Sequence, residues 1–568
     1  MADMKTSILI LLSFASLAAA AADSAPRMPD GKPFWNGSGY ARRFMYPPAF
    51  EFGEVSGAKA YRFEVYDDTF HMWTFTADRP TAAIPPEVWR KIPENVMAAV
   101  FCFGLDANGK DCGRSLVRGV NVNGDRFTPV RGFFKTASFK PGTYPKAKRS
   151  YAEASRMAFD YVFNLPYVRH FRETGKPDGV YWGECYPSKI DSSLINAMIT
   201  YAEICPERAK DALLTARRLA DYLLSISEPE GAPLAHLPPT YWGEREAAKQ
   251  YKGQTMLLYP AAVARTYADL FAATKDAKYL AAAERIAEWF LRNQGEDGSW
   301  YLKLWLKDGS PVAPNRCLPF EQMGMFDRLF ALTKKPQYAA ASERAFKMID
   351  DGPLQDWNWE GQFEDCEPRH KYFNLTKHNA CAAAIFLSRH WPTDAHRRGQ
   401  VRDILRWAED QFIVWERPCH ADGIGNNATR PADLAPEKLR KDNDYLHWHV
   451  PAVLEQYGFA VPIDASSAKL INTYLAAYAA DPNPLYLEKA RTLGDSMTNI
   501  QHDNGCIPTH WVNVEADPKG YRGYEKPGDE WVNCLIASAR ALANLAAASR
   551  AEGPFAPSKS SPSTAGAR

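Results

Sequence analysis

From about residue 150 to residue 550 the chain alternates two kinds of connection between helical segments, and this alternation limits the possible folds more than any other feature. Apolar residues recur there at spacings of three and four, the period of an amphipathic helix. The pattern predicts helices near 151–164, 191–204, 207–226, 254–273, 276–293, 319–333, 336–350, 374–391, 395–414, 465–480, 483–499 and 530–548, with a further helical stretch around 446–458. Pairs of these are joined by very short turns at Cys205-Pro206, Thr274-Lys275, Thr333 to Lys335, Trp391 to Thr393 and Asp481 to Asn483. Such turns produce antiparallel hairpins. The second helices of several pairs open alike, as DAKYLAAAERIAEWF, KPQYAAASERAFKMI and NPLYLEKARTLGDSM. That is a degenerate internal repeat. The links between pairs are long and rich in aromatic and polar residues: 227–253, 294–318, 351–373, 415–445 and 501–529. Successive hairpins therefore put the short turns at one end and the long loops at the other. The decorated end is where function is expected, because long loops on a rigid scaffold usually carry it.

Five hairpins are counted directly, and the first and last helices are left over. Pairing 151–164 with 530–548 would close a ring of six. The arrangement resembles the six-hairpin (α/α)6 toroid of glycoside hydrolases, polysaccharide lyases and some sugar epimerases, in helix count, in loop asymmetry and in phrases such as WFLRNQGEDGSWYLKLW. The resemblance implies a carbohydrate-active enzyme. It assigns no individual residue. The HDxGF type of motif of unsaturated glucuronyl hydrolases, the DAGD motif of endoglucanases with an Ig-like module and the clustered cysteine–zinc site of β-arabinofuranosidases are all missing from the sequence.

The toroid is expected over 148–550. Ahead of it, Lys5 and the apolar run from Ile8 to Ala22 read as a signal peptide over 1–22, which predicts a secreted or periplasmic protein. Residues 23–45 read as a linker. Residues 46–140 alternate on period two at Tyr61–Tyr66, Met72–Thr76 and Val100–Leu105, the last leading into the turn signal Asn108-Gly109. This stretch, with AYRFEVYDD, VFCFGLDANGKD and RGFFKT, resembles a fibronectin type III or Ig-like module, which implies a small β-sandwich with a packing or spacer role. Residues 551–568 are low in complexity and read as a disordered tail. Export would permit disulfides, and Cys102 and Cys112 are placed to bridge a hairpin; most of the ten cysteines read as buried thiols. No zinc spacing occurs among them, and no cofactor is implied. With 68 basic and 67 acidic residues the net charge is +1, so no global field draws in nucleic acid or an anionic membrane.

Sugars are held by stacking on aromatic faces and by polar side chains at the rim. Trp182, Trp242, Trp300, Trp359, Trp448 and Trp511 lie in the long loops and are candidate contacts, with Glu184, Glu321, Lys377, His378, Tyr445, His449 and His510 beside them. Glycoside hydrolysis needs two carboxyl groups, one protonated and one ionised. The segment Trp359 to Glu367 has the densest carboxylates, which makes Glu364 or Asp365 the candidate acid. The segment Asp442 to His449 offers Asp444 as base, with His447 one turn away, and Asp191 is a further candidate at a helix start. The expected activity is glycoside hydrolysis on a carbohydrate. The alternatives are a lyase or uronate epimerase using Tyr445, His447, His378, Lys377 and Arg316, and a glycan-binding protein without catalysis.

Overall fold

A computed structural model describes residues 43–67, 69, 71–121, 124–128, 130–365, 371–372, 374–417, 448–457, 461–511 and 530–556. The expected signal segment and all but the first few residues of the expected tail lie outside these.

Twelve long helices among the described residues build the main body. They are α1 (Tyr151–Asn164), α2 (Pro187–Ile204), α3 (Ala209–Ser225), α4 (Leu258–Thr274), α5 (Ala277–Arg292), α6 (Phe320–Thr333), α7 (Pro336–Asp351), α8 (Lys377–His390), α9 (Ala395–Phe412), α10 (Asp464–Ala480), α11 (Pro484–Ile500) and α12 (Val532–Ala548). The turn residues explain the sharp hairpins. Lys275 and Lys334 end α4 and α6 in the left-handed region at φ 60°. Asp276 and Asn483 then cap the following helices, accepting from the N–H groups of Lys278 and Leu485.

The even-numbered helices α2, α4, α6, α8, α10 and α12 pack each against the next, and α12 returns to α2, closing an inner ring. The odd-numbered helices form the outer layer, each covering its hairpin partner. The first outer helix, α1, covers the last inner helix, α12. The fold is thus a six-hairpin helical toroid, closed by the pairing of its two ends. Buried alanines line the inner helices, among them Ala197, Ala261, Ala264, Ala383, Ala384, Ala539 and Ala541, and let the backbones approach closely. Every inner helix has its N-terminus at the long-loop end. The stretch around 446–458 is not helical where it is described. Ala452–Val453 pairs with Ile413–Val414 as a short ladder, as suits a segment with Val450, Pro451 and Val453.

A repeated clamp joins neighbouring outer helices. At the end of α5, Gln294 donates to the carbonyls of Gly298 and of Ala341 in α7, both at 3.0 Å, and accepts from Arg344. At the end of α11, Gln501 donates to Gly505 (3.0 Å) and to Ala154 in α1 (2.9 Å), and accepts from Arg149. The second clamp is the one that fastens the end of the toroid to its beginning. Both turns require glycine. Gly298 has φ +82° and a Cβ there would lie 2.0 Å from the Arg344 carbonyl oxygen; Gly505 has φ +94° and a Cβ would lie 2.1 Å from that of Met157. Gly298→Ala and Gly505→Ala are each expected to cost roughly 2–3 kcal/mol in urea denaturation, against about 1 kcal/mol for Gly109→Ala. Gly109 shares the positive φ but has open space around it. Equal losses at all three would show that the close helix approach carries no weight.

The N-terminal strands pack beside the ring. Strands β1 (Arg43–Phe44), β2 (Ala60–Asp67), β3 (Met72–Ala77), β4 (Val96–Leu105), β5 (Asp111–Arg114) and β6 (Val130–Lys135) form one sheet in the order β1-β6-β4-β2-β3, with β5 also on β4. Only β1 and β6 run parallel. Ala49–Glu51 with Thr81–Ala83, and Val117–Asn121 with Gly124–Thr128, make separate two-stranded ladders. The end of the expected linker is therefore a sheet strand. Cys102 is buried and Cys112 exposed on neighbouring strands, and both are free thiols, so the expected bridge is not formed.

The sheet docks on α9 and the turn after it. The buried carboxylate of Asp410 accepts the N–H groups of Met45 (2.5 Å) and Tyr46 (2.8 Å), and Gln411 donates to the Arg43 carbonyl (2.8 Å). Glu416 takes Asn95 and Lys140, and Trp415 meets Phe139 with ring centres 4.7 Å apart.

Candidate active site

At the long-loop end, first-turn residues of the inner helices and the loops before them converge on one polar crevice. Glu364, in the loop before α8, is buried there. Its carboxylate pairs with Lys189 in the first turn of α2 and accepts the hydroxyl of Tyr259 in the first turn of α4. Tyr241 donates to the Glu364 carbonyl at 2.8 Å, and the Lys303 ammonium sits 4.0 Å from the centre of the Tyr251 ring. Burial alone would raise the pKa of Glu364. The charge of Lys189 and the two hydrogen bonds outweigh that and hold the carboxyl below its ordinary range. Its neighbour Asp365 is exposed. Enclosure by the protein and the negative charge of Glu364 push its pKa up. Glu364 is therefore the fixed anion of this pair, and Asp365 is the more readily protonated of the two.

Lys377 opens α8 and is fully buried. Its ammonium donates to the carbonyls of Leu454 (2.7 Å) and Glu455 (2.6 Å) and to the Ser466 hydroxyl of α10 (2.5 Å). These acceptors satisfy its three N–H bonds, while burial lowers its pKa. The Glu455 carboxyl is raised to about 7 by burial and by the charges of Asp365 and Glu364, against the pull of Lys377 and Lys189. His378, half-buried and edge-on to Phe363 with ring centres 5.8 Å apart, is held neutral by burial and by the charges of Lys377, Lys469 and Lys189. Below these, Asp464 begins α10 with no exposure. It accepts the N–H of Ala465 (2.7 Å) and the Ser538 hydroxyl of α12 (3.0 Å), and burial keeps it protonated far above the ordinary range.

A second acidic pair belongs to α2 and the turn before it. Asp191 is not at the helix start, since α2 begins at Pro187. It lies inside the ring, and burial, with the charge of Glu184, raises its pKa strongly. Glu184 accepts the N–H groups of Asp178 (3.0 Å) and Gly179 (3.2 Å), and burial and Asp178 raise its pKa to about 7. Above this pair the rim is aromatic. Trp182 and Trp242 are exposed at 38% and 43%, Trp182 lies edge-on to Trp531 with ring centres 6.4 Å apart, and the backbone N–H of Trp242 binds the Cys185 carbonyl.

The structure thus brings together Glu364, Asp365, Lys377 and His378, and sets Asp191, Glu184, Trp182 and Trp242 on the same end of the ring. Asp444, Tyr445 and His447 lie outside the described residues. Four tryptophans expected as sugar contacts are core residues instead. Trp300 donates to the Phe290 carbonyl at 2.9 Å and packs between α5 and α6; Trp359, Trp448 and Trp511 are likewise buried. The reason is that the long loops fold back over the ring and have a core of their own to fill. His510 is also buried, edge-on to Trp531, with its pKa lowered to about 4 by burial. Glu321 is exposed in the first turn of α6, and His449 borders a different cavity. A cavity of about 670 Å³ between the sheet and α9 and α11, bordered by Tyr46, Trp89, Lys135, Glu409 and Lys489, is also separate from this crevice. Lys189, Tyr259, Glu455 and Asp464 are the site residues that sequence reasoning missed. The described residues hold no helix long and apolar enough to cross a membrane and no cluster of His, Cys, Asp and Glu arranged to hold a metal.

No family model matches the chain, and no curated protein matches it. Among solved structures it is similar to the cellobiose 2-epimerase of Spirochaeta thermophila, at 13% identity over 69% of this chain and 97% of that one, with a TM-score of 0.43. It is similar to a family 76 glycoside hydrolase from a bovine Bacteroides thetaiotaomicron strain, at 10% identity over 90% and 96%, with a TM-score of 0.43. It is also similar to a D-mannose isomerase, at 12% identity over 70% and 97%, with a TM-score of 0.47.

Proposed function

We propose that this protein is an exported carbohydrate-active enzyme, and that it is a glycoside hydrolase working by carboxyl acid–base chemistry. One observation carries this reading. Three carboxyl groups of a single crevice are pushed to different proton affinities: Glu364 low, Asp365 raised and Glu455 near neutrality. Separating the affinities of neighbouring acids is how a fold supplies an acid and a base at one pH. Glu455 is the general acid that protonates the leaving oxygen. Asp365, open to solvent, is the base that activates water. Glu364, locked to Lys189 and Tyr259, holds the positive charge of Lys189 in place and sets the field on Asp365. Trp182, Trp242 and Trp531 form the stacking rim for the sugar rings. The sheet is a packing module, consistent with its hydrogen bonds to α9, and a β-sandwich reading of it belongs to this proposal as well.

The second reading is an epimerase or lyase on the same crevice, favoured by His378. A half-buried imidazole kept neutral among lysines is a ready base for removing a carbon-bound proton. The test is incubation with neutral, uronic and sulfated oligosaccharides, following reducing ends, ultraviolet absorbance and the proton spectrum of the product. New reducing ends without absorbance support hydrolysis. Absorbance with chain cleavage, or an epimerised product with no cleavage, would replace it by the second reading.

The acid assignment fixes the pH profile. Glu455 must carry its proton, so kcat/KM falls as pH rises through about 7. An alkaline limb absent up to about pH 9, beyond the ordinary carboxyl range, would remove Glu455 from the role.

A further inference from the structure

Away from the crevice, a cavity of about 500 Å³ opens between the C-terminal end of α11, the segment leading into α1 and the chain on either side of the ladder at Ile413–Val414. Among the described residues its border holds four basic side chains, Lys146, Arg417, His449 and His502, together with the hydroxyl of Ser496 and the amide of Asn499, and no carboxylate. That is unusual in a chain whose acids and bases balance almost evenly. Among the described residues the nearby acids have other partners, and Asp495 also lies in the field of Lys146. Asp503 pairs with Lys148 and Arg149, both at 3.3 Å; Glu416 pairs with Lys140; Asp495 accepts the Tyr151 hydroxyl. Arg417 and the backbone that carries the other basic groups are also held in position. Arg417 is tied to the Trp448 carbonyl at 3.3 Å, the Asn499 amide donates to the Lys146 carbonyl at 3.1 Å, and the backbone N–H groups of His449 and His502 bind the carbonyls of Trp511 and Cys506, both at 2.9 Å.

We infer that this cavity binds the anionic group of an acidic glycan, a carboxylate or a sulfate, with the sugar that bears it. The reading rests on the proposed function only for the nature of the ligand, a carbohydrate; its charge is argued from the cavity. A guanidinium and an ammonium supply charge-assisted donors, the preferred partners of a planar or tetrahedral oxyanion. The Ser496 hydroxyl and the Asn499 amide can hydrogen-bond sugar hydroxyls. The volume matches a small-ligand site and suits one or two sugar rings.

The experiment is calorimetric titration of the full chain with an oligogalacturonate, a sulfated oligosaccharide and a neutral cello-oligosaccharide of equal length. The same titrations are run on the double variant Lys146→Gln, Arg417→Gln and on wild type at raised salt. Binding by either acidic probe but not the neutral one is expected, weakened about tenfold or more in the double variant and by salt. The two acidic arms tell carboxylate from sulfate recognition. Should the double variant fail to fold, the salt dependence of wild type still decides the matter. Equal binding of neutral and acidic probes, or a double variant that binds acidic probes as wild type does, would overturn the inference. So would silence from all three probes. Because this readout is binding, loss of turnover in the crevice leaves it unaffected, and the two readings fail separately.

Discussion

Glu455→Gln is expected to lower kcat by about 10²–10⁴-fold, the usual contribution of a positioned proton donor, while leaving the fold intact. The amide keeps the size of the side chain but cannot give up a proton to a leaving oxygen. It also removes a group whose pKa burial raises to about 7, so the alkaline limb of the pH profile should vanish together with the rate. A substrate whose leaving group departs without protonation, such as a nitrophenyl glycoside, should recover most of the loss. The measurement is kcat against pH for both substrates. A variant with wild-type kcat on the natural substrate would end the assignment. Full loss on both substrates would show that Glu455 holds the crevice together and is not its acid. Glu364→Gln makes the contrast, because it leaves the Lys189 ammonium without its buried partner and should cost stability as well as rate.

The second large effect concerns how the sheet is held. Asp410→Ala leaves the N–H groups of Met45 and Tyr46 without their acceptor at a buried junction. Each such loss costs about 1–3 kcal/mol, so a total of roughly 2–6 kcal/mol is expected in denaturant. Asp410→Asn keeps one carbonyl oxygen toward the backbone and should cost much less. Limited proteolysis locates the damage: in Asp410→Ala the segment around β1 should be cut well before the helices. An alanine variant with the wild-type denaturation midpoint and cleavage pattern would show that the sheet is held by its aromatic contacts alone.

The periodicity of the sequence was a faithful guide to the ring because each helix buries one stripe against a fixed neighbour, and that stripe is written locally. The predicted and observed bounds of α1 coincide, and those of α7 and α10 differ by one residue. The pairing of the first helix with the last was also legible, since an unpartnered amphipathic helix needs a surface and only one remained. Charge density in the loop before α8 pointed to Glu364 and Asp365. Lys189 gave no such signal. It is one of 68 basic residues, and its partner lies 175 positions away, so its burial is decided by ring closure and by nothing nearby in the chain. Glu455 and Asp464 were hidden for the same reason, each a single acid with no local companion. The tryptophans misled in the opposite direction. Trp300 and Trp359 stand in loops by sequence and in the core by structure, because a loop long enough to reach over the ring must pack against it. The strands showed their alternation, but alternation does not encode pairing order, and the parallel placement of β1 on β6 could not be read from it.

The clamp of Gln501 on α1 also has a bearing on how the protein is born. α1 leaves the ribosome early, and the inner helix that it covers, α12, is nearly the last to be made. At about 5–20 residues per second the first helix waits roughly 20–80 s for its partner. Through that interval its apolar stripe and the open edge of the half-built ring are exposed to whatever else is in the cell. A cell making this chain must shield that stripe, or carry the nascent protein away unfolded, until the last hairpin arrives.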